Sequence, residues 1–360
     1  MDKLRVGVIG ATGMVGQRFV TLLENHPWFD TVLVAASASS AGKTYEDAVA
    51  GRWTINKPIP SLIAKLIVYN AQEIADIAQK VDFVFCAVDM SKDEILKLEE
   101  NYAKAEVPVV SNNSAHRGTM DVPMMIPEIN SSHTAIINKQ KERLGTKRGF
   151  IAVKPNCSLQ SYTPAIHPLI DFEPTDIIVA TYQAISGAGK TFETWAEMID
   201  NVIPFIKGEE EKSEQEPMKI WGRIEGDRII NATSPKISAQ CIRVPVTDGH
   251  LAAVSVKFKK KPKKEDIISR WKSFEGEPQK LNLPLAPKPF LTYFEEDIRP
   301  QTKLDRDISN GMGIAIGRLR EDKIFDYRFV CLSHNTIRGA AGGAILIAEL
   351  LFKQGYLGRR

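Results

Sequence analysis

The sequence predicts an α/β protein in which a Rossmann-type doubly wound parallel sheet is joined to an α+β catalytic and dimerisation domain with a mixed sheet. Three observations carry this prediction. The first part of the chain alternates short apolar runs of strand length with stretches of helical period, the pattern of successive βαβ units. A glycine-rich turn stands at the first strand-to-helix junction. Beyond residue 157 the runs become longer and alternate in polarity, as strands of a mixed or antiparallel sheet do.

Leu4 to Ile9 reads as a buried strand, followed by GATGMVG over residues 10–16 and an amphipathic helix to about Asn25. A glycine turn opening a helix lets a pyrophosphate approach bare backbone N–H groups, so Gly10, Thr12, Gly13, Met14 and Val15 are candidate cofactor-binding residues. The spacing G-x-x-G-x-x-G differs from the usual G-x-G-x-x-G. The second strand, Thr31 to Ala36, ends without the acidic residue that holds a ribose 2′-hydroxyl in NAD sites. Ser37, Ser39, Ser40 and Lys43 follow instead, a hydroxyl-rich loop with one cation that suits a 2′-phosphate and favours NADP. Strands at Leu66–Tyr69, Val81–Val88 and Val107–Ser111 alternate with helices at Ala71–Ala78 and Lys92–Lys104. Asn112 to Arg117 then leaves the sheet at its carboxyl edge, where such folds bind ligands.

Of 360 residues, 43% are hydrophobic and 25% charged, the balance of a soluble globular chain. A net charge of +3 is too weak to argue for a nucleic acid or a membrane surface, and the basic run Lys257 to Lys264 reads as a solvated turn. The start MDKLRVGVIG lacks the features of a leader, and no apolar run reaches transmembrane length. Cys86, Cys157, Cys241 and Cys331 have neither C-x-x-C nor metal-site spacing, so no metal is expected. A reduced, cytoplasmic setting follows, with Cys86, Cys241 and Cys331 as core thiols in apolar runs.

Cys157 differs. It lies in KPNCSLQ, between a strand-like run at Gly149–Val153 and a helix-like one at Tyr162–Ile170. The positive end of a helix there would favour the thiolate, although position alone leaves a small buried hydrophobe equally open. A long strand, Asp176 to Ile185, leads into Ser186-Gly-Ala-Gly189-Lys190, and a helix is expected over Thr191 to Ile203. Ser238–Val246 and Leu251–Phe258 read as a hairpin across Thr247 to His250. Helix Lys264–Phe274, a proline-rich loop at Leu283–Pro289 and strand Phe325–Ser333 complete the second domain. The last helix, Thr336 to Phe352, carries Gly339, Gly342 and Gly343 for close packing and is expected to return to the first domain. The expected division is residues 1–156 with 335–360, and 157–334.

Taken together, GATGMVG, SNNSAHR, PNCS, QAISGAGK, GEEEK, CIRVPVTDGH and SHNTIRGAAGGA occur in the order found in aspartate-β-semialdehyde dehydrogenases. The chain resembles the branch of that family shared by archaea, fungi and some bacteria, over essentially its whole length. The resemblance implies reversible NADP-dependent interconversion of aspartyl phosphate with aspartate semialdehyde and phosphate, a step towards lysine, threonine, methionine and isoleucine.

It also implies roles. Cys157 would be the nucleophile forming a thioester, and His250 the general acid/base. Asn156 and Gln183 would orient the acyl group. Arg243 would grip the substrate carboxylate, Glu209 (or its neighbour Glu210) the ammonium, and Lys212 with Arg117 the phosphate. Ser186, Gly187 and Asn335 would lie by the nicotinamide. From the residues alone His250 is also an ordinary turn histidine, and GEEEK a solvated helix end. Leu159-Gln160-Ser161-Tyr162 departs from the commonest family pattern after the nucleophile. A homo-oligomer, dimer or tetramer, is implied, with small-molecule ligands and no nucleic acid or membrane partner. Rival functions are a CoA-thioester reductase, an N-acetyl-glutamyl-phosphate reductase and, in a different class, a non-catalytic dinucleotide-binding sensor.

Overall fold

Residues 2–360 are described by a computed structural model containing two six-stranded sheets and one small hairpin. The first sheet comprises β1 (Leu4–Ile9), β2 (Phe29–Ala36), β3 (Val68–Asn70), β4 (Phe83–Cys86), β5 (Val109–Ser111) and β6 (Ile151–Val153). Its order is β3-β2-β1-β4-β5-β6 and every pair is parallel. Such strands are covered on both faces, which is why β4, β5 and β6 are buried throughout and read as unbroken apolar runs. The order reverses between β1 and β4, so the crevice beyond their carboxyl ends is the position for a ligand in this topology.

The helix Met14–Leu22 lies on one face of this sheet, and the helix Lys92–Lys104 is started by a reciprocal Ser91–Glu94 capping box. The final helix, Gly342–Lys353, returns to the first sheet: Ile345, Leu346 and Leu350 share a core with Phe19, Phe29 and Phe85. Arg338, just before it, donates through Nη1 and Nη2 to the two oxygens of Glu128 at 2.7 and 2.6 Å, both side chains being buried.

The second sheet comprises β7 (Pro174–Gln183), β10 (Lys236–Arg243), β11 (His250–Phe258), β12 (Leu291–Phe294), β13 (Ile314–Glu321) and β14 (Tyr327–Ser333), in the order β10-β7-β11-β14-β13-β12. The small hairpin is β8 (Arg223–Glu225) with β9 (Arg228–Ile230). Between β7 and β10 the helix Glu209–Ile220 packs along β10.

Three expectations are corrected. The runs read as a hairpin across Thr247–His250 are β10 and β11, but they do not pair. β7 lies between them, parallel to β10 and antiparallel to β11. Alternation shows that a strand has two different faces, not which strand stands beside it. The helix expected over residues 191–203 is a series of turns with one short helical turn at Ala196–Met198. There the Thr191 amide bonds to the Thr194 hydroxyl and the Thr194 amide to the Thr191 hydroxyl, in competition with helical bonding. The expected helix Thr336–Phe352 begins only at Gly342, after an irregular turn at Ile337–Ala341.

The Arg338–Glu128 pair fastens the final helix to the short helix Pro127–Asn130 that follows β5. Arg338→Met leaves the Glu128 carboxylate buried without a counter-charge and is expected to cost about 3–5 kcal/mol of stability, measured by urea unfolding. A loss below about 1 kcal/mol would contradict this assignment.

Candidate active site

Three neighbouring strands end side by side at one edge of the second sheet. Arg243 closes β10 opposite Gln183, which closes β7, and His250 opens β11 on the other flank of β7. The chain leaving β6 brings Lys154, Pro155, Asn156 and Cys157 to the same place from the first sheet. Cys157 Sγ and His250 Nε2 are 3.5 Å apart.

The fit behind the sulfur is close. A Cβ on Gly339 would lie 2.8 Å from Cys157 Cβ, so glycine is required where the irregular turn passes Cys157. In front, a Cβ on Gly187 would meet Arg243 Nη1 at 3.0 Å and His250 Nε2 at 3.1 Å. Asn335 joins the two loops there, donating to Ser186 Oγ at 2.8 Å and accepting from the Gly249 amide at 2.8 Å. Ser186, Gly187 and Asn335 therefore belong with the Cys157–His250 pair.

The inward face of the helix Glu209–Ile220 supplies most of the remaining polar contacts. Glu209 accepts from Asn156 Nδ2 at 2.9 Å, Gln183 Nε2 at 3.1 Å and Lys212 Nζ at 2.9 Å. Glu210 faces the other way and accepts from the Cys241 amide, so Glu209 is the acid at the site. One turn on, Ser213 Oγ is 2.9 Å from Ser158 Oγ. Glu216 accepts from the Asn156 amide at 2.6 Å and from Arg117 Nη1 at 3.0 Å. Lys219 Nζ donates to the carbonyls of Arg117 and Thr119 at 2.8 and 2.7 Å. Pro217 has no N–H, so the Ser213 carbonyl lacks its helical partner; the Tyr162 hydroxyl donates to it instead. Leu159, Gln160, Ser161 and Tyr162, the departure from the family pattern, thus form the buried floor beneath Cys157.

Sequence reasoning identified Glu209 and Lys212 but missed Ser213, Glu216 and Lys219. The available signal was periodic: Glu209, Ser213, Glu216 and Ile220 recur at helical spacing, and all are buried.

Burial dominates the electrostatics. It pushes the Cys157 thiol above its ordinary pKa, reinforced by the nearby Glu209 carboxylate and opposed by Lys154, Arg117 and Arg243. This corrects the expected thiolate-favouring helix end: a helical turn, Ser158–Gln160, does start at Cys157, yet burial and Glu209 move the thiol the other way. Burial, and then the Arg243 guanidinium, depress His250 to about 3. Burial raises the Glu209 carboxyl, but Lys212, Gln183 and Asn156 outweigh it and hold the group below its usual range. Lys154, enclosed and donating to the Pro155 carbonyl, is brought down to about 7 by the same loss of water.

The Ala184 amide donates to His250 Nδ1 at 3.1 Å. A backbone N–H can only donate, so Nδ1 is the acceptor and the neutral ring carries its proton on Nε2, towards sulfur. Protonating Nδ1 as well would set two N–H groups against each other.

A separate cleft of about 510 Å³ opens at the reversal between β1 and β4, lined by Gly10, Thr12, Gly13 and Ser37 among others. Gly10 has φ +89°, and a Cβ there would lie 2.3 Å from the Ala87 carbonyl oxygen; one on Gly16 would lie 2.2 Å from the Gly10 oxygen. Those two glycines are needed for packing. A Cβ on Gly13 would have only one neighbour, at 3.7 Å, so the backbone there is open to a ligand. Met14 and Val15 form the first turn of the helix that follows. Ser37 lines the cleft, Ser39 Oγ bonds to Ser37 Oγ, Ser40 is buried, and Lys43 is exposed, its backbone carbonyl accepting from the Val68 amide at the start of β3. The cation lining the cleft is Arg52. Among the described residues no cluster of three or more His, Cys, Asp or Glu could hold a metal ion.

Comparison with known proteins agrees over the whole chain. Residues 5–137 match the family described as semialdehyde dehydrogenase, NAD binding domain, and residues 166–338 its dimerisation domain. Aspartate-semialdehyde dehydrogenase of Archaeoglobus fulgidus is 42% identical over 98% of this chain and 99% of its own. The enzyme of Schizosaccharomyces pombe is 40% identical, with the same coverage. A crystal structure of the Candida albicans enzyme with NADP superposes with a TM-score of 0.88 at 35% identity, over 99% of this chain and 100% of that one.

The Nδ1 contact and the burial of His250 make a specific expectation. In ¹⁵N spectra the ring should remain neutral, with its proton on Nε2, between about pH 5 and 8, a window at whose lower end an ordinary histidine of pKa about 6.5 would already be largely charged. A His250 ring protonated at pH 6 would contradict this.

Proposed function

The chain belongs to the aspartate-semialdehyde dehydrogenase family, and on that premise we propose how it carries out the family's reaction. It interconverts aspartyl phosphate with aspartate semialdehyde and phosphate, with NADP as the cofactor. The observation that carries this reading is the Cys157–His250 pair at 3.5 Å, set beside a buried guanidinium, Arg243, and a buried carboxylate, Glu209. These are complementary to the two ends of an amino acid's zwitterion.

Arg243 holds the α-carboxylate and Glu209 the α-ammonium. Arg117, whose Nε is buried without a partner, holds the phosphate together with Lys212. In the oxidative direction Cys157 reacts as thiolate after losing its proton to water, with His250 Nε2–H donating to the sulfur. The sulfur adds to the aldehyde carbon, and the C=O π pair moves to oxygen, where the same N–H and nearby backbone amides receive the charge. NADP, when bound, supplies hydride chemistry between the aldehyde and acyl levels. Phosphate oxygen then attacks the Cys157 thioester, the C–S bond breaks, and the thiolate returns to His250. The acid/base role expected of His250 narrows to hydrogen-bond donation. Gly10, Thr12, Gly13 and Ser37 would hold the dinucleotide, with Arg52 supplying positive charge for the 2′-phosphate.

We place the division between cofactor and catalytic domains at 156/157 and 334/335. Apolar side chains exposed on β7 (Ile178, Tyr182) and in the segment after it (Ile199, Val202, Phe205) support assembly of the second domain into a dimer or tetramer. No helix is long and apolar enough to cross a membrane. We infer a cytoplasmic enzyme with small-molecule ligands.

NADP reduction with aspartate semialdehyde should require phosphate and fall at least about 10³-fold in Cys157→Ser, as when a covalent nucleophile is removed. Turnover that needs CoA instead of phosphate would move the protein to the thioester-reductase class. Turnover undiminished in Cys157→Ser would remove the nucleophile assignment.

A further inference from the structure

Glu216 spans two parts of the site that otherwise come from different loops. One oxygen accepts the amide of Asn156, the residue before the nucleophile, at 2.6 Å. The other accepts Arg117 Nη1 at 3.0 Å. The carboxylate is only 8% exposed, so neither bond is readily replaced by water. Arg117 is further restrained by donating from Nη2 to the Asn112 carbonyl at 3.2 Å, and its own carbonyl is held by Lys219. Glu216 and Lys219 lie three residues apart on one buried helical face, so a single rigid element grips Arg117 at both side chain and backbone.

We propose that Glu216 is a positioning residue that ties the phosphate-holding arginine to the nucleophile loop, so that phosphate is received in line with the acyl group on Cys157. This rests on the reading of Arg117 given above. Glu216 does not touch the substrate; it acts through Arg117 and through the amide of Asn156. Its negative charge also favours the charged form of the enclosed Lys154, opposing the effect of Arg117 there. A buried carboxylate shared between a guanidinium and a backbone amide fixes direction as well as distance, because each oxygen has its own donor.

The test is steady-state kinetics of the full-length enzyme with inorganic phosphate varied at saturating NADP and aspartate semialdehyde. Glu216→Gln keeps an acceptor for the Asn156 amide but turns an NH₂ towards Arg117. It should raise the phosphate KM by about 10- to 100-fold, the range for hydrogen bonds to charged groups, and leave the NADP KM unchanged. Glu216→Asp keeps the charge but is one methylene short of spanning both donors. It should give an intermediate phosphate KM, and it serves if the glutamine variant does not fold. In an Arg117→Ala background, Glu216→Gln should add no further rise, because the coupling runs through Arg117. An unchanged phosphate KM in the single variants, or effects of the two substitutions that multiply independently, overturns the proposal. Wild-type turnover indifferent to phosphate would overturn the reading of the site itself.

Discussion

A carboxylate buried without a partner is prohibitively costly, and the helix Glu209–Ile220 carries two buried carboxylates, Glu209 and Glu216, into the junction between the sheets. Their partners determine the rest of the site. Glu209 gathers the side chains of Asn156, Gln183 and Lys212, and Glu216 gathers the Asn156 amide and Arg117. The Asn156–Cys157 segment comes from the first sheet, Gln183 from β7 and Arg117 from the loop after β5, yet all are held to one helical face. Catalytic groups placed in this way owe their geometry to hydrogen bonds fixed in advance of ligand binding.

The same burial sets the resting charge state. Removing Cys157 and His250 from water disfavours both thiolate and imidazolium; Glu209 adds to the first effect and Arg243 to the second, while Arg243 favours the thiolate and Glu209 the imidazolium, and burial outweighs both. The Ala184 amide adds a structural reason, since it occupies the nitrogen that protonation would require. A neutral pair is the consequence, with the ring serving as a donor to whichever anion stands before it. Lys154 and Arg117 provide the opposing positive field that keeps a thiolate attainable.

Much of the fold was legible because burial leaves a periodic trace. β1, the Lys92–Lys104 helix and the glycine turn are legible nearly in place from apolar runs, helical period and a glycine-rich strand-to-helix junction. The groups of the site were legible by residue type in ordered motifs. What escaped was what sequence order does not encode. β10 and β11 look like hairpin partners until β7 is seen between them, and strand order is settled by packing after the strands exist. Glu216 and Lys219 matter through contacts to residues as far as 102 positions away. Lys43 was the nearest cation to the hydroxyl-rich loop in sequence, whereas the fold brings Arg52 to the cleft instead.

The central claim is that Cys157 carries the acyl group, held by the buried set around it. The most direct measurement is the intact mass of the enzyme after exposure to aspartyl phosphate with no dinucleotide present, followed by peptide mapping. The account predicts one aspartyl adduct per chain, on Cys157, and none in Cys157→Ser. An unmodified enzyme, or an adduct on any other residue, would contradict it.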